Sequence, residues 1–240
     1  MKTDIRTLSA GQKFADSILS LRPRIAVFDC DGTLWSGDSG ADFFYWQIDR
    51  GMFSHDVAQR AAARYADYKQ GKVDEDTMCG EMVTINAGNT VEVLQEAAEE
   101  FFSSIVEKRI FPEMLRLTRE LESIGCAVWA VSSTNDWVVR EGVKRFGIPR
   151  RRVLAASVHI EDGQITDRLI RVPSGPGKAT AITEVVQKQV DVCFGNSIHD
   201  MAMLEVARHA FAVNPNPDLE RIAQEKNWQI YWPSSTRKHG

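Results

Sequence analysis

Two aspartates stand one residue apart at the end of an apolar run in AVFDCDGTLW, residues 26–35. In extended backbone, residues two apart project to the same side, so Asp29 and Asp31 are expected to face one spot. Gly32 permits the tight turn that carries the chain on through Thr33. Two carboxylates so close repel, and one is driven towards its protonated form unless a cation relieves it. A hard cation such as Mg²⁺ suits them, because it takes one or two carboxylates and fills its shell with water and phosphate oxygens. A carboxylate is also a poor nucleophile towards a phosphate dianion until a metal offsets the charge.

Two further places carry groups suited to an anion. Ser132 and Ser133 follow the apolar run CAVWAV and are expected to sit just before a helix, where a hydroxyl and free N–H groups make an anion site. A helix cap is the structural alternative for the same residues. Lys178 lies in SGPGKATAITEVVQK, where Gly175, Pro176 and Gly177 break the chain. It is expected in the first turn of a helix, which disfavours a cation; the placement makes sense if its ammonium neutralises a phosphoryl group, although most lysines are solvated surface groups.

The elements that must position these residues can be read from the pattern. Apolar runs at 24–28 (RIAVF), 126–131 (CAVWAV), 190–194 (VDVCF) and 210–213 (AFAV) lack polar alternation and are separated by helical stretches. That is how a parallel sheet buried on both faces reads. The expected class is α/β, a doubly wound parallel sheet. FPEMLRLTRELESIG should be a helix opened by Pro112 and stopped by Gly125, with Met114, Leu117, Leu121 and Ile124 on its apolar face. STNDWVVREGVKRFGIP should be the next helix, ending at Gly147. VHIEDGQIT alternates around Asp162-Gly163 and predicts a projecting β-hairpin. Residues 37–110 read as helices throughout, with Asn89 and Glu92 resembling a capping box. The domain reading is therefore a Rossmann-like core of residues 1–36 and 111–240 and a helical cap of residues 37–110 placed over the end of the first strand. Ligands of open parallel sheets bind outside the carboxyl ends of the strands, where each of these candidates falls.

The whole chain of 240 residues is 43% hydrophobic and 26% charged, with a net charge of −4. The charge argues against nucleic acid as a partner. The apolar runs are too short to span a bilayer and the N-terminus shows no apolar leader, so no membrane partner and a cytoplasmic location are expected. Cys30, Cys79, Cys126 and Cys193 show no CxxC spacing, which predicts neither disulfides nor zinc.

The DxDGTL stretch resembles the nucleophile motif of the haloacid dehalogenase superfamily of phosphatases. The resemblance implies that Asp29 attacks phosphorus to form an aspartyl-phosphate and that Asp31 protonates the leaving oxygen and later activates water. Superfamily members that displace halide lack the second Asp, so Asp31 points to phosphoryl transfer. The matching Ser or Thr falls on Ser132, as a holder of a phosphate oxygen, and the matching lysine on Lys178. In VCFGNSIHDMAML, Gly195 and Asp200 match the family's metal-binding stretch, but Asn196 stands where the family has Asp. The metal set implied is Asp29, Asp31, Asn196 and Asp200, with Mg²⁺ bound more weakly for the lost charge; Ser197 with Asp200 also reads as a capping box. Asp38 falls where phosphoserine phosphatase-like members carry a substrate-facing acid, and is equally a helix cap. The substrate side is then Gly32, Thr33, Asp38, Ser132, Ser133 and Lys178. The helical insert, the hairpin and the NPNPDLERIAQEKNW ending are similar to that branch. The resemblance implies a Mg²⁺-dependent phosphatase for a small phosphorylated metabolite such as phosphoserine. A phosphate-binding module weakened in catalysis by Asn196, or a phosphotransferase, are the alternatives. Oligomeric state is not legible.

Overall fold

The computed structural model describes residues 8–236; the start of the N-terminal stretch and the last four residues of the expected core lie outside them. In chain order, α1 (Ala10–Leu19) leads into β1 (Ile25–Phe28), and α2 (Ser39–Asp49), α3 (His55–Lys69), α4 (Glu75–Thr84) and α5 (Val91–Phe101) follow. Then come α6 (Pro112–Ser123), β2 (Ala127–Asn135), α7 (Asp136–Val143), and the hairpin pair β3 (Val153–Glu161) and β4 (Gln164–Arg171). The chain closes with α8 (Pro176–Val186), β5 (Val190–Gly195), α9 (Met201–Glu205), β6 (Ala207–Val213), α10 (Pro217–Glu225) and β7 (Gln229–Tyr231).

The strands form one seven-stranded sheet in the order β4-β3-β2-β1-β5-β6-β7. All pairs are parallel except β3 with β4. Alternate residues of β1 serve opposite cores. Ala26 and Phe28 join the cluster under α1, α5, α6 and α7, while Ile25 and Val27 join the one under α8, α9 and α10. The sheet is thus doubly wound, as expected. The chain leaves β1 for β2 on one side and later returns to β5 on the other, so the strand order reverses at β1. In open sheets of this kind the ligand site lies at that point, beyond the carboxyl ends.

Register there is pinned by a ladder of rings. Phe28 stacks on Phe194 at 4.1 Å and Phe194 on Phe211 at 5.0 Å, and these pairs are also register partners across β1, β5 and β6. Each buried ring contributes about 2–3 kcal/mol through the area it removes from water. Slipping one strand by a residue would throw its ring to the other face. The ladder therefore fixes Asp29, one residue past Phe28, beside Gly195 and Asn196, which follow Phe194.

Several expectations need correction. β2 does not stop at Val131 but runs to Asn135, with a register shift between Ser132 and Asn135, and α7 begins at Asp136 under an Asn135 cap. Ser132 and Ser133 are thus strand residues, not a helix N-terminus, because Asn135 rather than either serine accepts the first free N–H. The hairpin turns at Asp162 and Gly163 with φ of 48° and 78°, as the turn chemistry requires. It does not stand apart, however: the first half of β3 pairs with β2 and extends the sheet. Thr90, not Asn89, caps α5 by accepting from Val93 N. Ile124 is 51% exposed because α6 ends one residue before it.

The helical stretch between β1 and α6 divides its loyalties. Phe44, Tyr65, Val73 and Met78 of the α2–α4 region form a small apolar cluster of their own. Leu94, Ala98 and Phe101 of α5 join the main core instead.

Candidate active site

Asp29 follows β1 directly, and its N–H donates to Phe194 O at 2.9 Å, tying the end of β1 to β5. Its carboxylate accepts from Thr33 Oγ1 at 2.8 Å on one oxygen and from Lys178 Nζ at 2.7 Å on the other. The same ammonium lies 2.6 Å from Asp200 Oδ1. Lys178 stands in the first turn of α8, as the Gly-Pro-Gly break predicts, and is 3% exposed. Burial alone would lower its pKa, but Asp200 and Asp29 hold the ammonium well above the ordinary lysine value. One cation does not satisfy the cluster. Burial first, then the charge of Asp200, pushes the Asp29 carboxyl up to about 7 despite the bond from Lys178.

Asp200 is fixed by the capping box with Ser197: its Oδ2 accepts from Asn196 N at 2.8 Å and Ser197 N at 3.0 Å. Gly195 is close-packed against this acid, since a Cβ there would come within 2.6 Å of the Asp200 Cβ. The Asn196 side chain lies over Gly32, whose φ is +80° and whose added Cβ would fall 1.9 Å from Asn196 Nδ2. Gly32 is thus required twice, for its left-handed backbone and for room.

Asp31 departs from the expected face-to-face pair. Its carboxylate accepts from Trp35 Nε1, from Ser39 N and from Thr134 Oγ1, each at 2.7 Å. The isolated bridge between Asp31 and Trp35 shows why: the chain turns after Cys30, and strand alternation no longer governs. The two acids share no hydrogen-bond donor. The cation found between carboxylates is Lys178, and it joins Asp29 to Asp200.

Ser132 is buried, and its Oγ accepts from Thr134 N at 3.1 Å. Ser133 donates to Glu75 Oε1 at 3.4 Å. Asp38 caps α2 by accepting from Ala41 N at 2.9 Å, and burial, with the charge of Asp31 next, pushes its carboxyl up to about 6. Trp35, Thr134, Glu75 and His199 are site neighbours that the motifs do not announce. Glu75, from α4, pairs with His199 Nδ1, from the turn that holds Asp200. Although burial opposes it, that bond brings the Glu75 carboxyl below its ordinary range, and the same bond raises the His199 imidazole.

Among the described residues no group of three or more His, Cys, Asp or Glu is disposed to hold a metal ion. The reason is visible: the Asp31 carboxylate is turned onto its three donors, and Lys178 takes the space between the other two acids. The donor chemistry still suits a hard cation. Asp29 and Asp200 supply carboxylate oxygens and Asn196 offers an amide oxygen, while burial and then the charge of Asp200 raise the Asp29 carboxyl. The three donors on the Asp31 carboxylate, two on one oxygen and one on the other, leave it an acceptor site open.

Known proteins resemble this chain in sequence and in fold. Residues 26–205 match the family described as haloacid dehalogenase-like hydrolase. A histidinol-phosphatase of Neisseria meningitidis is 26% identical over 219 residues, covering 86% of this chain and 97% of the relative. A phosphoserine phosphatase of Mycobacterium tuberculosis is 26% identical over 215 residues, covering 85% of this chain and 69% of the relative. In three dimensions, a protein of unknown function from Bordetella pertussis superposes with a TM-score of 0.76 at 22% identity, covering 87% of this chain and 98% of the other. A substrate-bound phosphoserine phosphatase gives 0.60 at 16% identity, covering 88% and 93%. With the family's match spanning β1 through α9, and with them Asp29, Lys178 and Asp200, the chain belongs to the haloacid dehalogenase-like hydrolases.

Proposed function

We propose that this hydrolase is a Mg²⁺-dependent phosphatase of small phosphorylated metabolites, working through an aspartyl-phosphate on Asp29. The observation that carries the reading is the buried Lys178 ammonium bridging Asp29 and Asp200 at the reversal point of the sheet. An ammonium in that place is positioned to meet phosphate oxygens as well as carboxylates.

In this reading the Asp29 carboxylate attacks phosphorus, and the bond from phosphorus to the alcohol oxygen breaks. Asp31, held by Trp35, Ser39 N and Thr134, delivers the proton that the departing oxygen takes up. Asp31 then removes a proton from water as that water attacks phosphorus, and inorganic phosphate leaves with Asp29 restored. Thr33 and Lys178 orient the nucleophile, one on each oxygen, so that it meets phosphorus in a fixed direction. Ser132, Ser133 and the turn at Gly32 border the phosphate. Mg²⁺, held by Asp29, Asp31, Asn196 and Asp200, would supply charge neutralisation between nucleophile and phosphate. Residues 37–110 serve as a cap that excludes water, with Glu75 and Asp38 facing the substrate. Among the described residues no helix is long and apolar enough to cross a membrane. Work in the cytoplasm is part of the proposal.

Asn196 supports the competing reading, a phosphate-binding module with little turnover. Hydrolysis of p-nitrophenyl phosphate across a Mg²⁺ titration decides between them. Metal-dependent turnover that disappears in Asp29→Asn is expected. Phosphate binding without turnover at any metal concentration would overturn the phosphatase reading.

A further inference from the structure

Asp31 is held differently on its two carboxylate oxygens. Trp35 Nε1 and Ser39 N both donate to Oδ1, each at 2.7 Å, so both acceptor positions of that oxygen are taken by N–H groups that cannot accept in return. Oδ2 has one partner among the described residues, the Thr134 hydroxyl at 2.7 Å, and keeps its second position open. Two bonds that meet on one oxygen act as a pivot. They hold Oδ1, but they resist a swing of the other oxygen only weakly, because acceptor directions at an sp² oxygen are broad. Thr134 is what fixes Oδ2.

Thr134 is itself held fast. It lies where the register of β2 against β3 shifts, and its N–H donates to Ser132 Oγ at 3.1 Å. Gly40 of α2 packs so closely on the hydroxyl that a Cβ there would fall 2.7 Å from Oγ1. Trp35 and Ser39, on the Oδ1 side, are enclosed, whereas Thr134 lines a cavity of about 60 Å³ together with Asp38, Glu75 and Ser133. Oδ1 is therefore bonded to groups shut inside the protein and Oδ2 to one that borders open space. The Asp31 main-chain carbonyl accepts from no donor among the described residues, so Asp31 can serve the metal set through that oxygen and keep Oδ2 for a proton.

Resting on the phosphatase reading above, we infer that Thr134 is a positioning residue for proton delivery: its hydroxyl aims Asp31 Oδ2 at the ester oxygen, and the proton passes at Oδ2 rather than Oδ1. As the bond from phosphorus to the ester oxygen breaks, its electron pair stays on that oxygen, which takes the proton from Oδ2 and leaves as the alcohol. Asp31 remains as a carboxylate still bonded to Thr134.

Leaving-group dependence tests the role, with phenyl phosphate and p-nitrophenyl phosphate as probes of nearly the same shape. p-Nitrophenolate departs readily without a proton, whereas phenolate is as basic as a tyrosine side chain and gains from receiving one. Thr134→Val keeps the branching of the side chain and removes the hydroxyl. Because misplacing a reacting group by about 1 Å costs up to ~10²-fold, this variant is expected to lower kcat/KM for phenyl phosphate about tenfold and to leave p-nitrophenyl phosphate almost unaltered. Thr134→Ser restores a hydroxyl and should recover most of the loss. Asp31→Asn, run beside them, gives the split between the two esters when the proton donor is gone altogether. With that split present, equal losses on both esters in Thr134→Val, no loss on either, or a serine variant no better than valine would overturn the inference alone. Neither ester turned over by wild type, or no split in Asp31→Asn, would overturn the acid role of Asp31 and the inference with it.

Discussion

Replacing Asp29, the proposed nucleophile, should make the metal-free protein more stable, and by an amount that depends on pH. In the folded state the Asp29 carboxyl is raised from 3.8 to about 7, chiefly by burial and by the charge of Asp200. That displacement corresponds to about 4 kcal/mol against the charged form, an upper figure because Lys178 shares the proton balance. The folded state keeps the proton between about pH 4 and pH 7 while the unfolded chain gives it up. Stability therefore falls as pH rises through that window, and the penalty is complete above it. Asp29→Asn is neutral throughout and escapes the fall. In chelator, the variant should match wild type near pH 4 and exceed it near pH 8 by about 2–4 kcal/mol, a rise of roughly 5–10 °C in Tm for a chain of this size. Urea and thermal denaturation at both pH values measure the difference. Adding Mg²⁺ should raise the wild-type Tm and erase much of the gap, because the ion supplies the charge that Lys178 leaves unbalanced. A variant less stable than wild type near pH 8 in chelator would refute the electrostatic account of the cluster.

Other perturbations test separate parts of the site. Asn196→Asp adds the missing negative charge among the oxygen donors and should lower the Mg²⁺ concentration for half-maximal activity about tenfold; an unchanged titration would remove Asn196 from the metal set. Trp35→Phe deletes the 2.7 Å donor to Asp31 while keeping an aromatic ring, so kcat should fall about tenfold with Tm altered by only a few degrees. Gly32→Ala forces a side chain into a φ of +80° and onto Asn196, and should cost about 2–4 kcal/mol in denaturant unfolding.

The sheet was legible where its strands are buried on both faces, because RIAVF, VDVCF and AFAV have no reason to be so continuously apolar otherwise. The outer half of β2 was not, since Ser132–Asn135 carry the polar composition of a turn. Three-residue β7 at the sheet edge gives no periodicity to read. Lys178 announced itself by standing at the wrong end of a helix, and the structure answers with two carboxylates there. The partners of Asp31 were not legible, because Trp35, Ser39 N and Thr134 reach it only once the chain has turned away from β1, which ends at Phe28. Glu75 and His199 carry no local signal at all: they are ordinary helix-surface residues far apart in sequence, and only the packing of α4 over the turn before α9 makes them neighbours.

The central claim is that Asp29 becomes covalently phosphorylated. Wild-type protein quenched in acid during turnover of a phosphate ester labelled at phosphorus, then digested and mapped, tests it directly. Label on the peptide containing Asp29, absent from Asp29→Asn, is the predicted result. Sustained turnover with no labelled protein, or label carried by Ser132, would contradict it.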